Sequence, residues 1–161
     1  MTPLGPRRQD AGHASPIRTF CGYCAHSVEH AASRTSRVCP RCSMGLLLAA
    51  PADVAPRPGA AFVVVDEVLR IRAVSRAAER LLGSRETALV GHPVGDVLTS
   101  AETAPADGAT IPALIARAMR DETSCASAAV RPRDAYGVRF GARIAGCRPG
   151  PAAMLVLEES L

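Results

Sequence analysis

Four cysteines stand in two matched pairs: Cys21-Gly22-Tyr23-Cys24 and Cys39-Pro40-Arg41-Cys42, with fourteen residues between them. Two cysteines separated by two residues can turn both sulfurs onto one ion, and two such turns complete a tetrahedral S4 set. Thiolates are soft donors and select Zn²⁺ among the common metals. Four protein ligands leave no open position for a water, so the expected role is structural rather than catalytic. A thioredoxin-type redox pair would need a surrounding βαβ pattern, which residues 18–48 lack. The metal ligands are therefore expected to be Cys21, Cys24, Cys39 and Cys42, binding one Zn²⁺ per chain. His26 and His30 lie between the pairs and are expected to be loop residues, because four sulfurs already satisfy the ion. Arg34, Arg37 and Arg41 flank the second pair, where their expected role is to offset the −2 charge of a loaded site. Cys125 and Cys147 stand apart from any such pattern and read as incidental small residues.

The elements around these cysteines must be small. A segment of this length builds little core of its own, and a bound ion would contribute much of its folding free energy. With short strands at 17–20 and 46–48, residues 17–50 resemble a zinc ribbon. Ribbon knuckles often carry Gly directly after the second cysteine, whereas Ala25 and Ser43 stand there in this chain. Residues 1–16 lack periodicity and are expected to be a disordered tail. Residues 51–59 hold three prolines and a glycine and read as a semi-rigid linker.

Beyond residue 60 the pattern becomes regular. Apolar runs at 62–65 and 69–74 with a short connection predict a hairpin. Ser75 is placed to cap a helix over 76–82 that Gly83 stops, and Glu79 sits at a capping-box-like distance. Short helical turns are expected at 86–90 and 93–98. Ile111, Leu114, Ile115, Ala118 and Met119 mark a longer amphipathic helix. Three strands close the chain, two of them alternating apolar and polar residues, which predicts one buried and one wet face. The expected fold is α+β: a five-stranded antiparallel sheet with helices on one face, spanning residues 60–161.

The stretch Val74-Ser75-Arg76-Ala77-Ala78-Glu79-Arg80-Leu81-Leu82-Gly83, followed by Val90-Gly91-His92-Pro93, resembles the N-terminal half of a PAS domain. That family's Asn is replaced by Ser75, and both residues cap helices. Residues up to 157 agree with the family in strand order. The resemblance implies a sensory or dimerisation module, working as a homodimer or with a partner protein. Some members hold haem or flavin, but the helix from Ile111 has no His for haem, no Cys sits in the flavin-photoreceptor context, and His92 precedes Pro93 in a turn. Neither cofactor is expected. A cavity lined by Ile115, Met119 and Phe140 would favour sensing.

Composition bounds the rest. Apolar residues make up 48%, enough for a core, but aromatics are only 3%, so that core is aliphatic. The net charge of +4 lies in residues 1–59, with seven arginines against three acids. Residues 60–161 balance twelve against twelve. Zinc thiolates would reduce the first part to +2, a weak field for nucleic acid. Arg131, Arg133, Arg139 and Arg143 are expected to form a solvated strip on the outer sheet face. No signal peptide or membrane span is recognisable, and a cytoplasmic location follows. No P-loop, nucleophile elbow or zincin motif occurs, so no enzyme is expected. The expected function is regulatory, with the zinc module contacting protein or nucleic acid. The alternatives are a passive adaptor stapled by zinc and a thiol–zinc redox switch.

Overall fold

The protein is described from a computed structural model, which covers residues 15–28, 36–101 and 109–159. Two sheets organise it. A small one has the order β2-β1-β3, from β1 (Ile17–Cys21), β2 (Ser27–Val28) and β3 (Leu47–Pro51). The larger sheet has six strands: β4 (Ala61–Asp66), β5 (Ile71–Val74), β6 (Leu98–Ser100), β7 (Cys125–Pro132), β8 (Phe140–Cys147) and β9 (Ala152–Glu159). Their order is β5-β4-β9-β8-β7-β6, with every neighbouring pair antiparallel.

The sixth strand corrects the five-stranded expectation. The helical turn expected at 93–98 is shorter, and only α3 (Val94–Val97) is helical. Leu98 then pairs with Pro132, Thr99 with Arg131 and Ser100 with Val130. A three-residue edge strand has too short a pattern to reveal its period in sequence.

Helix α1 (Arg76–Leu82) begins at Ser75, whose side chain accepts from the Ala78 N–H, and ends at Gly83. Ser75 is fully buried and does more than cap. Its Oγ also accepts from Phe62 N at 2.9 Å and donates to Ala60 O at 3.0 Å, which ties the helix start to β4. Helices α2 (Glu86–Leu89) and α3 are single turns, and α4 (Ile111–Arg120) is capped by Thr110. Helix α4 lies on β7, β8 and β9, and α1 lies on β4. Gly146 permits that close approach. A Cβ there would stand 2.6 Å from the Ala118 carbonyl oxygen.

The helix-side core contains Val63, Val65, Ile71, Ile115, Phe140, Ile144, Leu155 and Leu157, with Met119 packed on its margin. The alternate residues of the same strands, Phe62, Val64, Ala145, Met154 and Val156, face the other way and are also buried. They pack against Phe20, Ala25 and Ala50 of the N-terminal module and against Val54 and Ala55. The second sheet face is therefore dry over its central strands, not wet. Within residues 51–59, expected as a linker, Pro51 belongs to β3 and Val54 and Ala55 are buried, while Arg57, Pro58 and Gly59 are exposed. The β8–β9 turn joins the module as well, through Ala49 N to Arg148 O at 2.9 Å and Arg148 N to Ala49 O at 2.7 Å.

Candidate metal centre

Both cysteine pairs sit in knuckles of similar construction. In the first, Cys21 closes β1, Ala25 N donates to Cys21 O at 3.1 Å, and Cys21 N donates to His26 O at 2.9 Å. In the second, Ser43 N donates to Cys39 O at 2.9 Å and Cys39 N donates to Gly45 O at 2.9 Å. Ala25 and Ser43 follow the second cysteine of each pair and have φ of 59° and 55°. This is the left-handed region that favours glycine. The chain therefore keeps the knuckle backbone at residues that resist it.

The two knuckles bring their sulfurs together. All four Sγ atoms lie within 4.8 Å of one another, with Cys21 and Cys42 at 3.6 Å and Cys24 and Cys39 at 3.9 Å. A tetrahedral Zn–thiolate centre with bonds near 2.3 Å has its sulfurs about 3.8 Å apart. These four cysteines could hold a metal ion, and among the described residues no histidine belongs to the cluster. His26 is half-buried, and its Nδ1 accepts from Arg41 Nη1 at 3.3 Å. Arg37 is exposed. His30 and Arg34 lie outside the described residues.

Backbone N–H groups point at the sulfurs. Cys21 Sγ accepts from Tyr23 N at 3.3 Å and Cys24 N at 3.4 Å. Cys21 is buried, which pushes its thiol up to about 12 despite those donors. Burial also raises Cys24. At Cys42 burial acts in the same sense, but the N–H groups of Gly45 and Met44 and the neighbouring thiols outweigh it, and the thiol falls to about 7. Donors that favour thiolate are what a metal ligand needs, since the ion binds the deprotonated sulfur. Gly45 is confined: a Cβ there would collide with Cys21 Sγ and stand 2.8 Å from Tyr23 N.

Glu79 was expected to close a capping box on Ser75, and it does not. Ser75 N donates instead to Phe62 O. The Glu79 carboxylate accepts from Tyr23 Oη at 3.2 Å and from Glu86 N at 2.7 Å, linking the first knuckle, α1 and α2. Arg76 N donates to Tyr23 O at 2.7 Å, which adds a backbone tie at the same junction. Sequence reasoning missed this junction, because Tyr23 and Glu79 are 56 residues apart in the chain and carry no local signal.

The remaining candidates disperse. Cys125 stands exposed at the start of β7. Cys147 ends β8 in the module-facing core, where burial pushes its thiol up to about 12. The four arginines expected as one strip go separate ways. Arg131 lies 4.4 Å over the Tyr136 ring, Arg133 donates to Gly95 O at 3.0 Å, and Arg139 is exposed. Arg143 donates to Asp53 O at 3.0 Å and lies 3.8 Å from Glu158. His92 is exposed, and its carbonyl accepts from Ile71 N at 2.9 Å.

A family model described as the PAS fold matches residues 57–143. The chain belongs to the PAS fold family. Its PAS domain is of the type whose relatives are sensory and regulatory. Among solved structures, the PAS domain of nitrogen regulation protein NR(II) from Vibrio parahaemolyticus is 13% identical with a TM-score of 0.45, covering 63% of this chain and 90% of that one. A fungal LOV domain photoreceptor is 17% identical with a TM-score of 0.47, covering 69% of this chain and 82% of that one. No curated protein matches the chain. Among the described residues, no helix of this PAS protein is long and apolar enough to cross a membrane.

Proposed function

We propose that this chain is a non-enzymatic regulatory protein. Its PAS domain senses a small ligand or pairs with a second copy or a partner protein. A structural Zn²⁺ on Cys21, Cys24, Cys39 and Cys42 holds a ribbon-like module against the sheet. The module then offers a contact surface to protein or nucleic acid. The observation that carries the metal is the convergence of four sulfurs, all within 4.8 Å, on two knuckles of like backbone. The regulatory reading rests on the family. The ion's place in the signalling unit rests on packing: Phe20 and Ala25, next to the ligands, lie in one core cluster with sheet residues.

Zinc per chain, measured by elemental analysis on full-length reduced protein and on Cys39→Ser, tests the metal. One equivalent in the wild type, lost in the variant together with a fall in the melting temperature of the sheet, is expected. Reduced wild-type protein without zinc, or a variant that loses zinc yet melts as the wild type does, overturns the reading. Sedimentation at micromolar concentration tests pairing, and a strict monomer removes the homodimer.

A further inference from the structure

A cavity of about 750 Å³ opens between the second knuckle and helix α1. Its volume suits a drug-sized or nucleotide-sized molecule. Three arginines line it: Arg41 from the knuckle, and Arg76 and Arg80 from one face of α1, four residues apart. Among the described residues no carboxylate lines it, and none of the three arginines forms an ion pair. All three are exposed; Arg41 donates to His26 Nδ1 at 3.3 Å through one Nη and keeps its other N–H groups for a ligand. Like charges gathered on one concave surface repel, and an anion relieves that repulsion.

We propose that this cavity binds a phosphorylated small molecule of about nucleotide size, held by Arg41, Arg76 and Arg80. Guanidinium groups meet phosphate oxygens through two parallel N–H donors, and three of them match a multiply charged phosphate better than a single carboxylate. Tyr23 and Met44 supply flatter, less polar wall for the rest of the ligand. The competing role for these arginines is to neutralise the thiolate centre, since Cys24 and Cys42 also line the cavity. Three positive charges exceed the two negative charges of a loaded tetrathiolate. Two of the three arginines belong to the PAS helix rather than the knuckle. The cavity exists only while the module is docked on α1, through Arg76 N to Tyr23 O and Tyr23 Oη to Glu79. A phosphorylated ligand would thus bridge the two parts. The inference rests on the metal reading only in that zinc holds the knuckle in place.

The test is calorimetric titration of the full zinc-loaded chain with ATP, inorganic pyrophosphate, adenosine and a short single-stranded oligonucleotide. The variants are Arg76→Ala/Arg80→Ala and, as a control remote from the cavity, Arg120→Ala. ATP and pyrophosphate are expected to bind, more weakly as salt rises, while adenosine does not. The double variant should bind ATP about tenfold more weakly or worse, and Arg120→Ala as the wild type does. No ATP or pyrophosphate binding at millimolar concentration overturns the proposal, as does wild-type affinity in the double variant. Oligonucleotide binding without ATP binding overturns it in favour of an extended nucleic-acid surface. Zinc content on the same samples reports the metal reading separately. A double variant that loses its zinc assigns the arginines to the metal centre and overturns the phosphate site.

Discussion

Replacing Phe20 with Ala attacks the seam between the two sheets. Phe20 is fully buried and meets Phe62 of β4 edge-on, with ring centroids 5.7 Å apart and planes at 85°. Truncating a buried Phe costs about 3–5 kcal/mol in transfer and cavity terms. Roughly 0.5–1.5 kcal/mol of that belongs to the ring pair itself. A domain has a net stability of about 5–15 kcal/mol, so the loss is a large fraction of the total. At about 2–4 °C per kcal/mol for a chain of this size, the melting temperature should fall by roughly 6–20 °C. The assay is urea unfolding of zinc-loaded protein, followed by far-UV circular dichroism for the sheet and by a chromophoric chelator for released zinc. In the wild type the two transitions should coincide, and in Phe20→Ala both should move down together. A cycle with Phe62→Ala isolates the pair term. The reasoning is refuted if the sheet transition of Phe20→Ala stays within about 0.5 kcal/mol of the wild type while zinc release moves alone. That result would make the module a separate unit whose contact with the sheet contributes nothing.

Three other outcomes are expected. Ser43→Gly should raise stability by about 0.5–1 kcal/mol, because Ser43 is exposed at φ 55° and glycine removes the left-handed penalty at a smaller entropic cost; a loss of stability in the zinc-loaded form contradicts this. Gly146→Ala should destabilise by about 1–3 kcal/mol, since the new methyl would meet the Ala118 carbonyl at 2.6 Å, and an unchanged denaturation midpoint would show that α4 can lift away at no cost. Zinc should be released as pH falls. Protons compete for the thiolates, Cys21 and Cys24 are raised in the metal-free protein, and Cys42 takes up its own proton below about 7, so the affinity should fall more steeply there. Occupancy against a fixed chelator from pH 8 to 5 checks this, and a flat profile excludes thiolate ligation.

The candidate metal centre was legible because its information is local. The C-x2-C spacing makes each turn by itself, and the repeated spacing names all four cysteines without knowledge of the fold. Helix α1 was legible for the same reason, from Ser75 through Gly83. Strand β6 was not, since three residues cannot display a period. Glu79 was assigned to a capping box, although Ala78, not Glu79, stands three residues beyond the cap. Its carboxylate instead serves Tyr23 and Glu86.

The alternation of Val63 and Val65 with Phe62 and Val64 is invisible as an amphipathic signal, because both sets are apolar. A run of this kind states only that both faces are buried. It does not say what covers each. By itself the sequence determined the cysteine quartet, helix α1 and the existence of most strands, all of which follow from spacing and periodicity along one segment. Only the tertiary structure decided that the cysteine module closes the second face of the PAS sheet, that residues 54 and 55 are packed rather than free, and that Arg41, Arg76 and Arg80 share one cavity. Those contacts join segments far apart in the chain, and their partners are chosen by shape and by the burial of apolar surface, which no local pattern encodes.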